Sequence, residues 1–198
     1  MTANIQGVPN TAVVPPIPYV SFSAEINPNS SEQLLGLCSQ LATQGAPAIY
    51  LMLSTPGGSV MCGMNIYNVL RGLGTHLITH NVGNVDSIGN IVFLAGEKRY
   101  TCPHATFMFH GVGFEVPGGV RLEEKMLLER LDSIRADHNR LAAILAERTG
   151  ITDQEARELF QQAQTRDPHY ALEKGLVHDI RDVNRPAGAP FFQLVFQR

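Results

Sequence analysis

A chain of 198 residues with 44% apolar and 17% charged residues can bury one sizeable core, and it reads as one globular domain with room for an extra arm. Its net charge of −3 gives no electrostatic ground for nucleic acid or an acidic membrane as a partner. Three cysteines, Cys38, Cys62 and Cys102, lack metal-type spacing and suit reduced thiols. No stretch is long and apolar enough to span a bilayer, and no basic-then-apolar signal pattern opens the chain, so a soluble cytoplasmic protein without metal or cofactor is expected.

Residues 1–17 show no periodicity and run into Pro15-Pro16-Ile17-Pro18, which predicts a flexible N-terminal arm. The main domain is expected over 18–183 and a tail over 184–198. Tyr19 to Ile26 alternates as a strand does. Asn27 to Ser30 predicts a turn, with Ser31 capping a helix that carries Leu34, Leu35, Cys38 and Leu41 on one face and closes at Gly45. Ala48 to Leu53 predicts a buried strand, followed by a helix with Val60, Met64, Tyr67 and Leu70 in its apolar stripe. Leu77 to His80 repeats the strand and ends in a glycine turn at Gly83. Strand, helix, strand, helix in this rhythm argues an α/β fold with a parallel sheet and crossover helices.

Ile88 to Ala95 is apolar nearly all round, so a buried helix is expected there. Arg99 to Cys102 and Ala105 to His110 predict short strands, and Gly111 to Gly119 a glycine-rich loop. The longest helix is expected over Val120 to Arg148. Along it Leu127, Leu131, Ile134, His138, Leu141 and Leu145 alternate spacings of four and three, a coiled-coil-like seam. A helix of that length projects beyond a domain of this size, and His138 on its seam reads as an interface residue. Thr152 and Glu155 form a capping box for a helix ending near Ala163 or Gln164. Asp167-Pro168 opens a short helix stopped by Gly175, and Leu176 to Ile180 predicts a last strand. Phe191 to Phe196 is apolar with no sheet assigned, and is expected to dock on a neighbouring surface such as another subunit.

Two stretches carry the chemistry, Ser54-Thr-Pro-Gly-Gly-Ser-Val60 and Gly83-Asn-Val-Asp-Ser-Ile-Gly89. Each joins a strand to a helix. Ser87 at such a turn has its hydroxyl at a helix N-terminus, where the dipole favours developing negative charge, and bare amides nearby can hold an oxyanion. A serine that merely caps the helix is the alternative. A serine nucleophile needs a base, and His110, at a strand end, is the candidate. A histidine with a purely structural role is the competing reading. His104, in a turn after Pro103, is the poorer base, and Asp86 points away from its neighbour Ser87.

Pro56-Gly-Gly-Ser-Val60, then Gly63-Met64 and Ile66-Tyr67, Gly83-x-x-x-Ser87-x-Gly89, Met108-Phe-His110, Arg148-Thr-Gly150 and Gly175-Leu-Val177 together resemble the Clp protease proteolytic subunit family. The resemblance covers about residues 18 to 182 and marks a divergent member. It implies the ClpP/crotonase fold, repeated βαβ units with a projecting handle helix by which two rings meet. It implies Ser87 as nucleophile, His110 as general base, and the amides of Gly58 and Ile88 as the oxyanion hole. Gapless alignment from Thr149-Gly150 to Gly175-Leu-Val177 sets the family's aspartate position on Ala163. The nearest acid, Asp167, stands at a helix N-cap before Pro168, so the third member of the triad is left open between them.

Three functions follow as expectations. The first is a self-compartmentalised serine endopeptidase, a homo-oligomer of two stacked heptameric rings that cleaves unfolded polypeptides delivered by an AAA+ ATP-dependent unfoldase. The second is a weak or inactive partner that works beside a paralogous subunit in a mixed complex. The third is a crotonase-type acyl-CoA enzyme, which Ser87 and His110 in register disfavour. In the family the N-terminal segment lines the axial entrance and meets the unfoldase. Here that segment is short and proline-rich.

Overall fold

The computed structural model describes residues 16–196 except 115, 117 and 120; most of the expected arm, and Val120, lie outside the described residues. The chain starts its sheet with β1 (Tyr19–Ser23), crosses over through α1 (Pro28–Thr43) to β2 (Ala48–Thr55), and again through α2 (Val60–Arg71) to β3 (His76–Asp86). The three strands are parallel, as right-handed crossover units require. Their core face is built from Val20, Phe22, Leu51 and Leu53, packed under Leu34, Cys38, Ile66 and Leu70 of the two helices.

β3 branches the sheet. Its first half, Ile78 to Asn81, pairs with β4 (Lys98–Thr101), and its end, Asn84 to Asp86, pairs on with β5 (Thr106–Phe109). Between β3 and β4 sits α3 (Gly89–Phe93), buried on all sides as expected. After β5 come α4 (Glu124–Arg148), α5 (Asp153–Gln162), β6 (Gln164–Arg166) and α6 (Pro168–Glu173). β6 returns antiparallel along β5, β7 (Asp179–Ile180) adds to β4, and β8 (Phe191–Gln193) adds parallel to β1. The main path of the sheet is β6-β5-β3-β2-β1-β8.

Several local expectations change. Gly83 does not turn the chain, because β3 continues through it to Asp86; a Cβ there would lie 2.9 Å from Ser54 Oγ, so glycine serves close packing against β2. α1 is capped by Asn27 rather than Ser31, with Pro28 in its first turn and Ser30 completing a reciprocal box, since the amide side chain already accepts the Ser30 N–H. α4 begins at Glu124. Its first half is exposed and Leu141, Ala142, Ile144 and Leu145 bury its second half. His138 stacks on Phe160 of α5, centroids 5.6 Å apart, and so is engaged within its own chain. The tail finds a neighbouring surface in its own chain: β8 extends the sheet along β1, and Phe196 packs edge-on against Phe22.

The opposite face of the sheet holds a second cluster with a polar centre. His80 is fully buried; its Nε2–H donates to the Arg181 carbonyl at 2.9 Å, so Nδ1 accepts from the Tyr50 hydroxyl at 2.7 Å. Burial, against a weaker opposing effect of that hydrogen bond, pulls the imidazole down to about 4. The folded state therefore binds fewer protons than the unfolded one, and stability is lost as pH falls from about 6.5 to about 4. Desolvation lowers His138 and His178 as well, and they act with the same sign. We expect the urea midpoint to drop across that window, and to drop less in His80→Gln; equal slopes for both proteins would contradict it.

Candidate active site

Ser87 follows β3 directly, in the left-handed region at φ 56°. A non-glycine residue there costs about 1 kcal/mol or more, so the surroundings must hold it. They do so from three sides. The Ser87 N–H donates to the Met108 carbonyl at 2.8 Å, and Asn90 Nδ2 donates to the carbonyls of Ser87 (3.0 Å) and Met108 (2.8 Å). Gly57, at φ 93°, lies so close that a Cβ there would be 2.6 Å from Ser87 Cβ and 3.3 Å from its Oγ. This is the nucleophile-elbow geometry, a sharp strand-to-helix turn with the hydroxyl lifted clear.

The amides expected to face the oxyanion are free to do so. Ile26 forms a parallel bridge to Gly58 by donating to the Gly57 carbonyl and accepting from the Ser59 amide, at 2.7 and 2.8 Å. That pattern turns Gly58's own N–H the other way. Among the described residues neither the Gly58 nor the Ile88 amide has a protein acceptor. Gly58 can be nothing else, since at φ 137° its Cβ would meet the Ile26 carbonyl oxygen at 2.2 Å. α3 is only five residues long, so the two amides themselves, more than a helix dipole, supply the positive potential.

Ser87, Ile88, Gly58 and His110 line one cavity of about 350 Å³. Its apolar wall is made by Val60, Ile91, Phe109, Val112, Phe114, Leu141, Leu145 and Phe160. His110 leaves the end of β5 as an exposed residue, and neither its ring nor Ser87 Oγ is hydrogen-bonded to a described residue. Such contacts tighten when substrate is bound. The cleft thus offers an apolar surface beside the serine and the histidine.

Asp167 does not reach this cavity. The β5–β6 register pairs Phe107 with Arg166, Met108 with Thr165 and Phe109 with Gln164. Continued one step, it sets Ala163 opposite His110; continued the other way, it sets Asp167 opposite Thr106, about 13 Å along the strand. The Asp167 carboxylate caps α6, accepting the Tyr170 N–H at 2.8 Å. Gln164 is bonded to Gln162 and Arg166. Ala163 itself takes the left-handed cap of α5 at φ 49°.

Sequence reasoning missed Asn90, the only polar residue in the run from Ile88 to Ala95, and that isolation was its signal. Among the described residues no group of acidic, cysteine and histidine side chains could hold a metal.

The fold is a branched, mostly parallel α/β sheet with a sharp strand-to-helix turn at Ser87. The family model described as Clp protease matches residues 18–184. The chain is 26% identical, over 79% of itself and 77% of the relative, to the ATP-dependent Clp protease proteolytic subunit of Chlorella vulgaris. It is 30% identical to the ATP-dependent Clp protease proteolytic subunit 2 of Tropheryma whipplei, over 67% of itself and 73% of that relative. A ClpP1 mutant from Listeria monocytogenes has the same fold, with a TM-score of 0.74 at 21% identity, covering 83% of this chain and 91% of that one. The chain therefore belongs to the Clp protease family.

Gly57→Ala tests the elbow. The added methyl must displace Ser87, and displacement of about 1 Å costs on the order of 10² in rate. We expect acylation of Ser87 by a fluorophosphonate to slow by that factor with circular dichroism unchanged; undiminished labelling would show that the close approach is not needed.

Proposed function

We propose that the chain cleaves polypeptides with a Ser87–His110 pair, the Gly58 and Ile88 amides as oxyanion donors, and no carboxylate behind the histidine. Membership in the Clp protease family makes it a proteolytic subunit of serine-peptidase type, and the acyl-CoA alternative is not needed. The observation that carries the catalytic reading is the single cavity that brings Ser87, His110, Gly58 and Ile88 together. His110 takes the Ser87 proton as Oγ attacks the scissile carbonyl, and the two amides receive the negative oxygen. The histidine then passes that proton to the leaving amine, and water, activated by the same histidine, releases the acyl group.

The β5–β6 register supports Ala163 at the place where an orienting acid would stand. The Ala163 side chain cannot accept a hydrogen bond from a ring N–H, so the productive tautomer of His110 would depend on a weaker acceptor, a backbone carbonyl, a water or a glutamine such as Gln162 or Gln164. In one well-studied serine protease, replacing the acid lowers kcat by ~10⁴. This favours the second reading as a refinement of the first: low basal activity, raised in company with a paralogous subunit. The family forms rings that work with Clp ATPases, and we propose two stacked heptameric rings here. Their contact would use the exposed apolar residues Met126, Leu127, Leu128 and Leu131 of α4. Leu131→Glu should then reduce the assembly to single rings or smaller in light scattering; an unaltered mass would remove α4 from the contact.

The test of the catalytic reading is a three-variant comparison. Ser87→Ala should abolish fluorophosphonate labelling, Ala163→Asp should raise peptide hydrolysis, and Asp167→Asn should leave it near the starting level, because asparagine also caps a helix. Loss of activity in Asp167→Asn with none gained in Ala163→Asp would reverse the assignment of the third place.

A further inference from the structure

The segment after His110 is fastened from behind by a second histidine. Gly111, Val112, Gly113 and Phe114 form one wall of the cavity that holds Ser87. The Val112 N–H donates to His138 Nε2 of α4 at 2.8 Å. A nitrogen that accepts carries no proton, so His138 is the neutral tautomer with its hydrogen on Nδ1. Its ring plane is fixed by stacking on Phe160, 20° from parallel, and Phe160 lines the same cavity from α5. Gly111 runs so near that a Cβ would lie 3.1 Å from His138 Nε2 and 3.4 Å from the Phe160 carbonyl oxygen. Farther along, the Arg130 guanidinium sits over the Phe114 ring at 5.6 Å.

We propose that His138 is a positioning residue of the peptidase site, whose unprotonated Nε2 holds the Gly111–Phe114 wall against which the substrate side chain packs. The inference rests on the peptidase reading of Ser87 and His110. Protonation would set an Nε2–H against the Val112 N–H, donor facing donor, and the wall would lose its anchor two residues beyond the catalytic histidine. The charged groups facing the ring are Asp137 on its own helix and Arg157 on α5, with His110 at the head of the anchored segment. Asp137 is paired with Arg140 at 2.7 Å, and Arg157 with Asp153 at 2.7 Å. Desolvation, with the Arg157 charge acting in the same direction, outweighs Asp137 and keeps His138 below the ordinary histidine value, so the anchor is made at neutral pH and released on the acid side.

Two variants separate the acceptor from the ring. His138→Phe keeps the stack and removes the acceptor, while His138→Gln offers an amide oxygen that does not titrate. We expect kcat/KM for a peptide with a large apolar side chain at the cleavage site to fall about tenfold in His138→Phe, one hydrogen bond's worth, with the larger share in KM. His138→Gln should recover most of that loss, and the acid limb of its pH profile should be shallower by one proton. Hydrogen exchange of the backbone around Val112, corrected for its intrinsic pH dependence, should accelerate below neutrality in the unmodified protein and not in His138→Gln. Unchanged kcat/KM in His138→Phe, or exchange around Val112 that ignores both substitutions, overturns the proposal. A Ser87 inert to fluorophosphonate at every pH would instead defeat the peptidase reading, and the exchange comparison would still decide whether His138 anchors the segment.

Discussion

The architecture depends on how β3 is held where its neighbours change. Asn81 sits at that branch, fully buried. Its Nδ2 donates to the Thr106 carbonyl at the start of β5 (2.8 Å), its Oδ1 accepts the Gly83 N–H (3.1 Å), and its backbone carbonyl accepts the Cys102 N–H (2.9 Å). One residue thus joins both strands that leave on the same edge of β3. A buried amide stripped of these partners would cost about 1–3 kcal/mol for each orphaned group. Because β5 is fixed there, Met108 and His110 arrive alongside the end of β3, and the Ser87 elbow has a partner carbonyl to hold.

The elbow is where the fold holds backbone strain, at the residue proposed as nucleophile. The left-handed Ser87 backbone is held by the Met108 carbonyl, the Asn90 clamp and the bare approach of Gly57. Among the described residues the same turn leaves the Ile88 amide without an acceptor, while the Ile26 bridge leaves the Gly58 amide without one. Unpaired amides are normally costly. Here both residues line a cleft rather than the core, where the proposed oxyanion would be their acceptor. A rigid strand end supplies the serine and a neighbouring strand end the histidine, so the site is assembled by sheet register more than by loop conformation.

A second buried tie closes the other end of the molecule. Arg99 on β4 donates to the carbonyls of Leu176, Gly96, Arg148 and Gly175, at 2.8 to 3.1 Å. It joins the base of α4 to the chain that leads into β7. Burial, with Arg148 nearby, lowers its guanidinium to about 10, which still leaves it charged at neutral pH. A buried cation is tolerated because four carbonyl dipoles converge on it. The long helix therefore has a fixed root, while its first half stands clear of the domain with Leu127, Leu128 and Leu131 exposed.

Much of this was legible in the chain itself, because it rests on short-range chemistry. The strand-helix alternation up to Ser87, the capping box at Thr152, the Asp167-Pro168 helix start and the stop at Gly175 follow from periodicity and local hydrogen bonding, and the structure repeats them. The motif order around Gly58, Ser87 and His110 pointed to the family before any coordinates. What the tertiary structure alone decided involves partners distant in sequence. Gly83 looked like a turn because glycine signals one locally, yet β2 and β5 carry the strand through it. The tail from Phe191 looked unplaced because its partner, β1, lies some 170 residues earlier. His138 looked like an interface residue because helical spacing reports which face a side chain shares, not what crosses that face. Only the packing of α4 on α5 brings it to the Val112 amide, and only the β5–β6 pairing, which sets Phe109 beside Gln164 and Phe107 beside Arg166, gives a register in which to weigh Ala163 against Asp167. Local propensity acts over a few residues, whereas strand register and side-chain burial are settled by contacts across the whole chain.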